Sequence, residues 1–63
     1  MKYSLKELRA RHNMSQAELA KLAGVSRQAI AMYEKGEYTP NEKVASKIAE
    51  VLKEKITNIK WEG

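Results

Sequence analysis

The sequence has no cysteine and no aspartate, one histidine, one proline and three glycines. Without thiols, neither disulfides nor thiolate metal sites can staple the fold. A lone histidine, with no glycine-rich phosphate loop and no metal-ligand cluster, leaves an enzyme nothing to work with. No apolar run approaches the ~20 residues of a membrane span. Lys2 leads into a helix-capping sequence where a signal peptide would have an apolar stretch. Repeats, low-complexity segments and linkers are also missing. These absences predict one cytoplasmic domain, residues 1–63, with no cofactor, no metal and no small-molecule ligand.

A chain of 63 residues buries only ~60% of the surface its unfolded form exposes, so its own core is marginal. Dimerisation is an attractive source of further burial. The net charge of +4 is unevenly spread: residues 1–35 hold seven lysines and arginines against three glutamates, and residues 36–63 hold five lysines against five glutamates. All of the excess positive charge lies in the first half, as an electrostatic footprint for phosphates requires.

Residues 15–35 carry the densest signals. Ser15 with Glu18 forms a capping box, in which hydroxyl and carboxylate each satisfy an orphan backbone N–H. Ser26 is a second N-cap. Gly24 stands where the first of these two helices must stop, in a left-handed conformation that costs glycine nothing sterically. Leu19, Ala23, Val25, Ile30 and Tyr33 fall where both helices face one core. Ala20 lies where the two backbones come closest. Arg27, Gln28, Ala31, Met32 and Lys35 are left along one outward face of the second helix.

Ahead of this pair, Ser4 and Glu7 form another capping box, with Tyr3 and Leu8 suited to a hydrophobic staple. The first helix is predicted over Leu5–His12, with Leu5 and Leu8 inward. His12 sits at its basic C-terminal end as a surface or capping residue. Asn13 takes the left-handed stop, and Met14 staples onto Leu19. Gly36 closes the helix that contains Lys35. The next helix begins either at Thr39, with Pro40 at its first position and Glu42 at its third, or at Asn41. Its buried stripe is Val44, Ile48, Val51 and Leu52, with Ala45 and Ala49 beside it.

Ser15–Ala20, Gly24–Ile30 and Tyr33–Gly36 together resemble the helix-turn-helix of the Cro/phage-repressor (Xre-like, lambda-repressor-like) DNA-binding family, and the resemblance runs from about Leu5 to Ile59. Fixed alanine, glycine and apolar positions followed by Arg-Gln are far more specific than a helical hairpin alone. The resemblance implies an all-α fold of five short helices, with room for a minimal β-ribbon between the termini. It also implies sequence-specific binding of duplex DNA through the major groove. The protein would act as a homodimeric transcriptional repressor on a palindromic operator, or alternatively as a protein-interaction module of the antitoxin type.

Residue by residue, the resemblance places Arg27, Gln28 and Met32 against the bases. An amide at Gln28 matches the N6 and N7 of adenine, while Arg27 reaches guanine or a phosphate. Met32 replaces a commoner polar residue, and either packs on a thymine methyl or covers the core edge. Gln16, Lys35, Tyr38 and Asn41 fall to phosphate contact, Gln16 through the N-terminus of its helix. Arg9 and Glu34 match a structural ion pair. Ile56 and Ile59 match the two anchors of a fifth helix, but Lys53 replaces the usual helix-stopping glycine and Lys55 a common Ser/Thr cap. Ile59-Lys60-Trp61-Glu62 also alternates like a strand, which suits pairing with Met1-Lys2-Tyr3. Residues 53–63 are therefore read as the dimerisation segment, with Ile56, Ile59 and Trp61 at the interface.

Overall fold

Four side chains start four helices in the same way. In the computed structural model, which describes residues 2–61, Ser4, Ser15, Ser26 and Asn41 each accept a hydrogen bond from the backbone N–H three residues on, at 3.1, 3.0, 3.0 and 2.9 Å. The helices that follow are α1 (Leu5–Arg11), α2 (Gln16–Ala23), α3 (Arg27–Lys35) and α4 (Glu42–Val51). The Ser15 box is complete, since the Glu18 carboxylate accepts the Ser15 N–H at 2.9 Å. The box at Ser4 is half made, because the Glu7 carboxylate lies 3.6 Å from Arg11 one turn on. Of the two starts open to the fourth helix, Asn41 is the one used. Pro40 is buried just ahead of it, and Thr39 is left exposed.

All four helices also end alike. Asn13, Gly24, Gly36 and Lys53 adopt positive φ, at 51°, 74°, 76° and 55°. After each of them the next N–H donates back to the carbonyl five residues earlier: Met14 to Arg9, Val25 to Ala20, Glu37 to Met32 and Glu54 to Ala49. These are Schellman closures, and they satisfy carbonyls that would otherwise be orphaned. Asparagine tolerates the left-handed conformation and glycine favours it, but lysine adopts it at a cost.

Lys53 therefore does the work of the usual glycine, and α4 does not run on. Beyond it, Ile56–Asn58 makes a single 3₁₀ turn with no side-chain cap at Lys55. The expected fifth helix is reduced to that turn, so the described residues contain four α-helices. The chain then forms β2 (Ile59–Lys60), which pairs in parallel with β1 (Tyr3–Ser4), Tyr3 against Ile59 and Ser4 against Lys60. The terminal ribbon thus exists, one residue further along the N-terminal side than Met1-Lys2-Tyr3 would place it. Met1 and Glu62 lie outside the described residues.

The core gathers Leu5, Leu8, Leu19, Ala20, Ala23, Ile30, Ile48, Ala49, Leu52 and Ile59, with Tyr3, Met14, Val25, Tyr33, Val44, Val51, Ile56 and Trp61 packed at its edges. On α4 the buried stripe is Ala45, Ile48, Ala49 and Leu52, while Val44 and Val51 are only half-buried. The two alanines lie inside the stripe and let α4 approach its neighbours closely. Ile59 is 1% exposed, and burying such a side chain contributes about 1.5–3 kcal/mol. In so small a core that is a sizeable share.

Candidate nucleic-acid interface

Helix α3 is held from beneath by Ile30, which is fully buried, and its start is fixed by the Ser26 cap. Arg27 and Gln28, in its first turn, are exposed. Neither is needed for the cap or the core, so both side chains are free to meet a ligand at the end of the helix where backbone N–H groups are also unpaired. Ala31 and Met32 continue the same face one turn on and are half-buried, and Lys35 ends it exposed. Half-buried as it is, Met32 is not one of the side chains packed at the edges of the core among the described residues.

The other phosphate candidates sit in three different settings. Tyr38 is 60% exposed in the loop after α3, one of two exposed large hydrophobic side chains among the described residues. Asn41 spends its Oδ1 on the α4 cap, which leaves its Nδ2 as the group able to donate outward. Gln16, in the first turn of α2, is half-buried, and its Nε2 donates to Glu34 Oε1 at 3.0 Å.

Glu34 is the hub behind these residues. Arg9 donates to it twice, Nε to Oε2 at 2.7 Å and Nη2 to Oε1 at 3.3 Å, and Arg9 Nη1 donates to the Met14 carbonyl at 2.9 Å. The side chains of Arg9 and Glu34 are 16% and 9% exposed. One ion pair thus binds α1, the entry to α2 and the end of α3 into a unit. The Gln16–Glu34 bond was not legible in the sequence, since it spans 18 residues and no local pattern announces it. Its one cue was that the Arg9–Glu34 match ties the end of α3 to α1, the helix that leads into α2.

The C-terminal residues require a correction. Ile59 cannot offer its side chain to a second copy, because pairing of β2 with β1 turns it into the core of its own chain. Strand alternation directs Lys60 outward instead. Ile56 and Trp61 are half-buried, with Trp61 Nε1 donating to the Ile56 carbonyl at 3.3 Å. Two shallow grooves elsewhere, one at Ala23, Gly24, Val44 and Lys47 and one at Lys2, Lys60 and Trp61, include none of the residues on the α3 face.

A helix-turn-helix family model matches residues 5–59. The chain belongs to the helix-turn-helix family. It is similar to an uncharacterised HTH-type transcriptional regulator of Archaeoglobus fulgidus, 51% identical over 59 residues that cover 94% of this chain and 83% of that one. A second such regulator, from Methanocaldococcus jannaschii, is 52% identical over 59 residues, covering 94% and 89%. A third, YgzD of Bacillus subtilis, is 43% identical over 61 residues, covering 97% and 92%. As a member of this family of Cro/phage-repressor type, the helix-turn-helix protein is a regulator and not an enzyme.

Proposed function

We propose that this helix-turn-helix protein binds duplex DNA sequence-specifically in the major groove and represses transcription by occupying its operator. The observation that carries the reading is the pair Arg27–Gln28. Both are exposed at the capped N-terminus of a helix anchored by the buried Ile30. In docked helix-turn-helix proteins that end of the recognition helix meets the base edges. Arg27, Gln28 and Met32 read bases, while Gln16, Lys35, Tyr38 and Asn41 position the backbone. The protein works in the cytoplasm as a homodimer through Ile56 and Trp61. It spans two half-sites about one helical turn, ~34 Å, apart on a palindrome.

Titration against promoter duplexes and scrambled duplexes at several salt concentrations tests this. A specific binder keeps a gap of ~4–10 kcal/mol over nonspecific DNA, with affinity falling as salt rises. Absence of both the gap and the salt dependence would refute the DNA-binding reading and favour a protein-interaction module.

A further inference from the structure

We propose that Glu34 is a positioning residue for Gln16, holding its amide so that one N–H is presented to a DNA phosphate at the start of α2. The inference rests on the DNA-binding reading above and deepens it. A carboxylate only accepts hydrogen bonds. The contact from Gln16 Nε2 to Glu34 Oε1 at 3.0 Å therefore decides which end of the amide faces the protein. The NH₂ group turns toward Glu34, and Oε1 turns away. One of the two N–H bonds is spent on the carboxylate, and the other diverges from it in the amide plane.

A free glutamine at this position would present donor and acceptor about equally, and its carbonyl oxygen would repel a phosphate. Glu34 removes that ambiguity. A bare carboxylate this close to the DNA would itself repel the backbone. Here its charge is met by the Arg9 guanidinium through two hydrogen bonds, at 2.7 and 3.3 Å. The same guanidinium ties the Met14 carbonyl, immediately before the Ser15 cap. The ion pair therefore fixes both the backbone that launches α2 and the first side chain on it.

A double-mutant cycle on the full chain separates this role from a purely structural one. The readout is affinity for an operator duplex, at a temperature where melting curves show every variant fully folded. Gln16→Ala is expected to weaken binding about tenfold, the scale of one hydrogen bond to a charged group, and to weaken operator and scrambled duplexes alike. Glu34→Gln keeps the size of the side chain, but its amide no longer dictates the orientation of Gln16. It should cost several-fold when Gln16 is present and nothing further when Gln16 is already alanine.

Equal losses from Glu34→Gln in both backgrounds would overturn the proposal, because Glu34 would then act through the fold alone. Full affinity in Gln16→Ala would overturn it as well, while leaving the DNA-binding reading intact. Failure of the wild-type protein to bind any duplex would instead bring down that reading.

If Glu34→Gln does not fold, the Gln16 side-chain amide protons of the wild-type protein decide by NMR. One of them should exchange slowly in the free protein and the second only after operator is added. Fast exchange of both in the complex would overturn the assignment.

Discussion

His12 Nε2 donates to the Leu52 carbonyl at 2.9 Å, fastening the end of α1 to the end of α4. Both groups belong to helix termini, and the carbonyl is one of those that α4 leaves without an intrahelical partner. His12→Ala is expected to lower stability by ~0.5–1.5 kcal/mol, the net worth of such a bond, and to leave operator affinity unchanged. Thermal melting alongside a binding titration checks both halves. An unaltered midpoint would mean that the tie contributes nothing.

Lys53 holds φ at 55° to close α4, a conformation in which its Cβ is crowded. Lys53→Gly is expected to stabilise the protein by about 0.5–1 kcal/mol, the relief of that strain less glycine's greater unfolded-state entropy. For a domain of this size a change of that order raises the melting midpoint by a few degrees. Asn13→Gly should gain less, since asparagine already tolerates its own left-handed position. A lower midpoint for Lys53→Gly would show that the lysine side chain offsets its strain through contacts of its own.

Glu18 has its carboxyl held below the usual carboxylate range by the backbone N–H and then the hydroxyl of Ser15, against a smaller opposing effect of burial. Glu54 is lowered in the same direction, first by Asn58 and then by the Lys55 backbone N–H. A lowered folded pKa gives stability that is fully present above the ordinary carboxylate value and is lost as pH falls through the folded value. Melting followed on acidification should show that loss. In Glu18→Gln, which has no carboxyl to titrate, the share belonging to Glu18 should be missing, so the decline becomes shallower. Curves of identical slope would remove Glu18 as a source of the loss.

Trp61 rests at the edge of the core with its indole N–H on the Ile56 carbonyl. If the two residues meet a second copy, sedimentation at micromolar concentration should give a dimer. Trp61→Ala should then weaken it by ~2 kcal/mol or more, as buried aromatic anchors do. A wild-type monomer, or a dimer indifferent to the substitution, would exclude this face.

Gln28 and Lys35 should fail in different ways. Gln28→Ala leaves the Ser26 cap and the Ile30 anchor intact, so folding should barely change. Its operator affinity should fall by ~1–3 kcal/mol, with the loss concentrated at one base pair per half-site. Lys35→Ala should weaken all duplexes alike and lower the salt slope by about one. Affinities for single-base operator variants discriminate between them. A uniform loss from Gln28→Ala would make it a phosphate contact.

The sequence alone determined where the first three helices begin and end, because those signals are local. Ser4, Ser15 and Ser26 each act on an N–H three residues away, and Asn13, Gly24 and Gly36 act on their own backbone. Periodicity likewise sorted Leu19 and Ile30 from Arg27 and Gln28, since one helix turn decides which face a side chain joins. Only the tertiary structure decided matters that depend on what lies opposite. Asn41 caps α4 while Pro40 is buried ahead of it, and Gln16 finds Glu34 because Arg9 has already drawn α1 and α3 together. Ile59 read equally well as a helix anchor, a strand residue or a dimer contact, since an apolar side chain states only that it seeks cover. Pairing of its strand with Tyr3–Ser4 supplied that cover from within the same chain.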